Sequence, residues 1–175
     1  MVTATTAELL ERSLAGDRLA FERLFRPLYD DGFRLAVAML SDAALAEDAV
    51  QDALLNAWRK LHTFREGASV RPWFLTIVAN QCRSVRRGRW FSVSRVADVE
   101  IPMADPATAD RLDLEAALRR LPQQARLLLV LRYYLDMSFE EIAGVVGGSP
   151  SAVKSSTHRA LVRLRRECGQ EVEES

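Results

Sequence analysis

Positions 42–61 read DAALAEDAVQDALLNAWRKL. Within them Ala46, Ala49, Val50, Ala53, Leu54, Ala57, Trp58 and Leu61 recur at three- and four-residue steps, the spacing that gathers side chains into one stripe along an α-helix. Asp42, just ahead of the stripe, has the short carboxylate that accepts from the free N–H groups of a first helical turn. The same periodicity recurs along most of the chain, and no alternation of apolar and polar residues runs beyond a few positions, so the sequence predicts an all-α fold.

Working outward, Gly16 closes a short first helix with Leu9, Leu10 and Leu14, and Asp17 caps a second with Phe21, Leu24, Phe25 and Leu28. An apolar run follows from Phe33 to Leu40. Beyond the quoted stripe, the segment from Thr63 to Ser69 breaks the period and reads as a loop. Pro72 then suits a first helical turn, where its missing N–H costs nothing. That helix carries Trp73, Phe74, Ile77, Val78 and Val85. From Gly88 to Ala109 the period disappears among prolines, acids and small residues. We therefore expect two small helical domains, residues 1–90 and 110–175, joined by an extended acidic linker over 91–109.

In the second half, Leu114, Leu118 and Leu121 mark one helix, and Pro122 opens another through Leu128 to Leu135. Ser138-Phe139-Glu140-Glu141 has the form of a capping box, in which the serine oxygen accepts from the Glu141 N–H and the Glu141 carboxylate reaches back. The helix it starts ends at Gly147-Gly148. Ser149 caps the next, with Pro150 at its first position and Val153, Thr157, Ala160, Leu161 and Leu164 on its buried side. Helix, tight glycine turn and helix is the arrangement of a DNA-reading helix-turn-helix.

The 175 residues carry 24 basic and 24 acidic side chains, a net charge of zero that hides a segregation. Residues 67–90 hold 5 basic side chains and no acid; residues 119–166 hold 9 basic and 3 acidic. Two separate cationic helices suit a duplex gripped at two places, because phosphate contacts dominate affinity for DNA. Cys82 and Cys168 lie far apart, and neither they nor His62 and His158 have metal-ligand spacing. Phosphate-binding glycine loops and nucleophile elbows are missing too, so neither enzymatic chemistry nor a cofactor or metal is expected. Without a long apolar run or a signal-like start, the expected location is the cytoplasm, with no membrane insertion.

Three faces stand out. With Val153 inward, a turn of about 100° per residue points Ser151, Ser155, His158, Arg159 and Val162 outward, with Lys154 and Ser156 at the flanks. Short polar and cationic groups near a helix start suit base edges and phosphates. Trp73, Asn80, Arg83, Arg86 and Arg87 share a helix behind a loop with Phe64, Arg65 and Ser69. Aromatic faces beside amides and cations suit a single strand with splayed bases. The third face, Asp48, Gln51, Asp52, Leu55 and Arg59, reads by itself as a solvated surface.

The run Ala46-Glu47-Asp48-Ala49-Val50-Gln51-Asp52-Ala53-Leu54-Leu55-Asn56-Ala57-Trp58, then Phe64, then Arg71-Pro72-Trp73-Phe74-Leu75-Thr76-Ile77-Val78-Ala79-Asn80 and Arg86-Arg87, resembles region 2 of the extracytoplasmic-function group of bacterial RNA polymerase sigma factors. Leu121-Pro122, the Ser138 to Ala143 capping segment, Ala152-Val153-Lys154-Ser155 and His158-Arg159-Ala160 resemble region 4 of the same group. The resemblance implies a promoter-recognition subunit without catalysis of its own. Its partners would be the polymerase core, through the clamp helices of the largest subunit and the flap of the second-largest, promoter DNA, and an anti-sigma factor. It assigns Asp48, Gln51, Asp52, Leu55 and Trp58 to the clamp, with Trp58 supporting that surface from the core. Phe64, Arg65, Ser69, Trp73 and Asn80 would hold flipped bases of the minus-ten element, and Arg83, Arg86 and Arg87 its phosphates. Ser151, Lys154, Ser155, Ser156, His158 and Arg159 would meet the minus-thirty-five duplex. Ser156 and Thr157 stand where the family often has arginine and an aliphatic residue, so its promoter preference does not carry over. The competing readings are a stand-alone helix-turn-helix regulator, which leaves the aromatic and basic patch unexplained, and a helical enzyme, which lacks a convergent acid, base or metal set.

Overall fold

A computed structural model of the chain describes residues 5–65, 67–90 and 109–169, and among them every regular element is helical. The order is α1 (Thr6–Leu14), α2 (Arg18–Phe25), α3 (Tyr29–Leu40), α4 (Ala43–Lys60), α5 (Val70–Trp90), α6 (Ala109–Arg120), α7 (Gln123–Leu129), α8 (Phe139–Val146) and α9 (Pro150–Glu167). Short 3-10 turns follow α2 and α4.

The expected caps form. Asp17 Oδ1 accepts from the N–H groups of Leu19 and Ala20 at 2.9 and 3.0 Å. Asp42 accepts from Leu45 N–H at 3.0 Å. At α8 the Ser138 hydroxyl accepts from Glu141 N–H at 3.1 Å while Glu141 accepts from Ser138 N–H at 2.9 Å, so two orphan donors are satisfied reciprocally. Ser149 caps α9 through Ala152 N–H, with Pro150 in its first turn. Gly147 and Gly148 both take positive φ, 85° and 96°, which a Cβ would strain.

Three boundaries differ from the sequence reading: α2 stops at Phe25, and Leu28 falls in the 3-10 turn Arg26–Leu28 that follows it. Helix α5 continues through Gly88 to Trp90, because a single glycine costs a helix only about 1 kcal/mol. The run after Pro122 is not α-helical throughout: Val130–Tyr134 widens into a π-helical turn, ended by Asp136 in the left-handed region. There Leu135 N–H donates to Val130 O and Met137 N–H to Leu131 O, a swap of ladder partners that apolar periodicity does not reveal. The linker expected over 91–109 lies outside the described residues except for Ala109, which begins α6.

In the first half, α3, α4 and α5 pack on one another. The α4 contacts are small, with Ala46, Ala49, Ala53 and Ala57 all fully buried, which lets the neighbouring helices approach. Phe74 is fully buried and meets Phe25 edge-on with ring centres 5.4 Å apart. A Cβ on Gly32 would come within 3.0 Å of the Phe74 ring, so this close approach of α3 to α5 depends on glycine. In the second half, α7 and α8 each pack against α9. The buried Thr157 hydroxyl donates to Val153 O at 2.8 Å, which satisfies a polar group inside the core.

The two halves are not separate bodies in space. Helix α3 packs on α7 and α5 on α8, and one continuous apolar cluster runs from Leu24 and Phe25 through Phe74 and Val78 to Leu131, Met137 and Ile142.

Candidate polymerase and nucleic-acid interfaces

The stripe along α4 turns its apolar side inward and leaves Asp48, Gln51, Asp52 and Leu55 on the surface. Leu55 is 55% exposed, an isolated aliphatic side chain among acids. Trp58 is half-buried and stands edge-on to Phe21, 5.1 Å between ring centres, so it braces α2 beneath this surface. Asp52 is also tied to α5: Gln81 donates to Asp52 Oδ2 at 2.9 Å and accepts from the Asn56 amide at 3.3 Å. Periodicity does not single out Gln81; only the crossing of α4 and α5 brings it to Asp52.

The second face begins in the loop after α4. Phe64 and Trp73 are half-buried and meet edge-on, 5.3 Å between ring centres. Arg65 and Ser69 are exposed beside them. Further along α5, Asn80 is exposed and its carbonyl accepts from Arg83 at 2.8 Å. Arg86 and Arg87 extend the exposed cationic edge. The fold therefore keeps the predicted aromatic, amide and arginine groups on one loop and one helix. The two rings are partly spent on each other: Trp73 also packs 6.4 Å from Phe25, so its inner edge belongs to the core.

On α9 the helical projection holds. Val153, Thr157 and Ala160 are buried, while Ser151, Lys154, Ser155, His158 and Arg159 are exposed. Ser156 is half-buried at the flank, and Arg159 donates to its hydroxyl at 3.0 Å. Val162, expected outward, is half-buried. A short cationic face at the start of the second helix of a helix-turn-helix is the surface that enters a major groove.

Two arginines escaped the sequence reading as structural groups. Arg126 lies inside the apolar run Ala125 to Leu131, is 9% exposed, and reaches Ala38 O, the Ser41 hydroxyl, Arg119 O and Leu121 O. Burial, with Arg86 and Arg119 nearby, holds its pKa below the ordinary arginine value. Arg71 donates to Asp31 and to Leu135 O, both at 2.7 Å. A lone cation within an apolar stripe was the available signal for Arg126; nothing comparable marks Arg71. Cys82 is buried and its thiol pKa is pushed up to about 12, whereas Cys168 is exposed. No described helix is long and apolar enough to cross a membrane.

The first half thus presents an acidic face on α4 and an aromatic, arginine-edged helix α5, and the second half a helix-turn-helix. Residues 24–91 match the family described as Sigma-70 region 2, and residues 111–164 match Sigma-70, region 4. The chain is 36% identical over 168 residues to the ECF RNA polymerase sigma factor SigM of Mycobacterium tuberculosis, covering 94% of this chain and 85% of that one. It is 32% identical to the RNA polymerase sigma-E factor of Streptomyces coelicolor, covering 87% and 88%. Among solved structures, it resembles the sigma factor RpoE in complex with the anti-sigma factor NepR from Bartonella quintana, with TM-score 0.77, 27% identity, and 87% and 98% coverage. It also resembles CnrH in complex with the cytosolic domain of CnrY, with TM-score 0.70, 26% identity, and 90% and 93% coverage. The chain belongs to the extracytoplasmic-function sigma factors of bacterial RNA polymerase, and its function is to direct transcription initiation. The region 2 match accounts for the first half, which the stand-alone regulator reading left without a role.

Proposed function

We propose that the three exposed faces divide the work of initiation. Asp48, Gln51, Asp52 and Leu55, braced by Trp58, dock the clamp helices of the polymerase's largest subunit. An acidic row around one exposed leucine suits a partner helix with cations flanking an apolar spot, since aliphatic anchors supply affinity and charges supply rate and register.

The loop residues Phe64, Arg65 and Ser69, with Trp73 and Asn80, capture bases of the opened minus-ten element, and Arg83, Arg86 and Arg87 hold its phosphates. Bases leave a stack only at a cost of a few kcal/mol, which stacking on aromatic faces at about 1–3 kcal/mol per base offsets. The Asn80 carbonyl, which already accepts from Arg83, keeps a second lone pair for a base, and Arg83 keeps further N–H donors for a phosphate.

Ser151, Lys154, Ser155, Ser156, His158 and Arg159 meet the minus-thirty-five element as duplex. The flap of the second-largest subunit is the partner of the second domain, a reading supported by the exposed Leu114 and Tyr133 at the rim of an apolar groove of about 320 Å³. An anti-sigma factor is the expected antagonist, supported by the similar sigma factor RpoE solved with the anti-sigma factor NepR.

The observation that carries this reading is the separation of one acidic face, on α4, from two cationic ones, on α5 and α9. Reversing charge with Asp48→Arg and Asp52→Arg tests it by fluorescence titration against purified core polymerase. Affinity falls at least tenfold with the helical circular dichroism unchanged; an unaltered affinity removes this face from the interface.

A further inference from the structure

We infer that Gln81 is a positioning residue for polymerase docking: it holds the Asp52 carboxylate of α4 in the orientation that a cation of the clamp meets. The inference rests on the assignment of the acidic face of α4 to the clamp.

Of Asp48, Gln51 and Asp52 on that face, only Asp52 is held by another helix. Gln81 of α5 donates from Nε2 to Asp52 Oδ2 at 2.9 Å, and its Oε1 accepts from Asn56 Nδ2 at 3.3 Å. Gln51 reaches only Glu47 of its own helix, at 3.5 Å, and Asp48 makes no side-chain hydrogen bond or ion pair among the described residues. Asp52 and Asn56 lie four residues apart, one above the other on the same face of α4, so a single amide from α5 spans both. Its direction is fixed. An ionised carboxylate only accepts, which turns the Gln81 nitrogen toward Asp52 and its oxygen toward the Asn56 amide. The donations run one way, from Asn56 to Gln81 to Asp52, and each polarises the next. The backbone beneath is anchored, since Ala53 and Ala57 of α4 and Val78, Ala79 and Cys82 of α5 are all fully buried.

Asp52 itself is exposed, while Gln81 and Asn56 are half-buried, so the amides rise from the crossing of the two helices and end on a surface charge. An exposed hydrogen bond of this kind adds little to stability, because water replaces it on unfolding. What it supplies is orientation. A loose carboxylate gives up rotamer freedom when a partner fixes it; one already fixed does not give it up again. The amide uses one of about four lone-pair sites on the carboxylate. No other side-chain donor reaches Asp52 among the described residues, which leaves Oδ1 for the partner. The neutrality of glutamine matters as well. A lysine or arginine at this position would hold Asp52 but cancel the charge that steers the partner in, whereas an amide holds it and leaves the charge whole.

A double-mutant cycle on the full chain, titrated against purified core polymerase, tests this. Gln81→Met keeps the length of the side chain and removes its donor, Asp52→Ala removes the carboxylate, and the double variant removes both; circular dichroism checks the helical content of each. Gln81→Met weakens binding about threefold, the order of the cost of fixing one loose side chain at an interface. It leaves the salt dependence of affinity as it was, because no charge has gone. Asp52→Ala weakens binding and flattens that dependence. Adding Gln81→Met to Asp52→Ala costs nothing further. Asn56→Ala, which frees the Gln81 amide and leaves it in place, gives a smaller loss that also disappears without Asp52, so the test does not depend on one substitution. In the free chain, NMR couplings across the Cα–Cβ bond of Asp52 report one rotamer, which becomes an average in Gln81→Met. Equal losses from Gln81→Met with and without Asp52 mean a general weakening of the helix crossing and overturn the positioning role. Unchanged affinity of Gln81→Met beside a weakened Asp52→Ala overturns it too. If Asp52→Ala binds as tightly as the unaltered chain, Asp52 lies outside the interface and the assignment of α4 fails first, a result distinct from those.

Discussion

Replacing Arg126 by methionine keeps most of the aliphatic stem and removes the guanidinium, which sets two opposing effects against each other. On one side stand the four acceptors it serves: Ala38 O, the Ser41 hydroxyl, Arg119 O and Leu121 O. The carbonyls sit at the ends of α3 and α6, so one cation caps two helices. Hydrogen bonds from a charged donor contribute about 1.5–3 kcal/mol each when well formed. The three carbonyl contacts, at 3.2 to 3.4 Å, belong at the weak end. On the other side stands desolvation, several kcal/mol for an ion without a counter-charge, felt here as a lowered pKa. The substitution strands dipoles and no charge, so the net loss is about 2 kcal/mol, below the 3–5 kcal/mol of breaking a buried ion pair. For a domain of this size that lowers Tm by about 4–8 °C. Thermal unfolding followed by circular dichroism reads it directly. A Tm unchanged or raised means that desolvation outweighs the capping and refutes the reasoning.

Three other outcomes follow from the same geometry. Asn80→Ala impairs transcription from closed duplex more than from a template already melted at the start site; equal losses would contradict a base-capturing role. Ser156→Arg adds a phosphate contact and steepens the slope of log affinity against log salt by ~0.9, with little change in selectivity between matched and scrambled minus-thirty-five elements; altered selectivity with a fixed slope would reverse the assignment of that helix flank. A thiol reagent at neutral pH labels the exposed Cys168 and spares Cys82, and both react after denaturation, as mass spectrometry of the labelled peptides reads. Because the folded Cys82 thiol is raised to about 12, stability linked to it is whole below the ordinary thiol value of 9.0 and is lost as pH climbs from there toward 12; rapid labelling of Cys82 in the native chain contradicts its burial.

Much of this molecule was legible because its signals are local. The α4 stripe, the Ser138 to Glu141 capping box and the glycine pair after α8 each depend on neighbours three or four residues away. The face of α9 followed from one inward anchor, Val153, and a constant turn per residue. What stayed hidden depends on partners far along the chain. Arg71 meets Leu135 across 64 residues and Gln123 meets Met39 across 84, so no periodicity carries them. The sequence reads as two domains because charge and apolar period break at the linker. The packing of α3 on α7 and α5 on α8 adds a seam that the break conceals, since both sides of it look like ordinary core stripes. The π-helical turn was missed for a related reason: swapping ladder partners changes hydrogen bonding without disturbing which residues are apolar. Trp58 and Trp73 mark the limit for single residues, each half core and half surface, a division set by where Phe21 and Phe25 fall.

This chain gives polymerase a promoter choice that the core enzyme lacks. The direct measurement is transcription by purified core polymerase on fragmented genomic DNA, with and without the chain, with start sites mapped by sequencing the transcripts' 5′ ends. A small set of new start sites appears with the chain, each preceded by shared minus-ten and minus-thirty-five sequences, and vanishes when Asp48 and Asp52 are both changed to arginine. Start sites identical to those of core polymerase alone would contradict it.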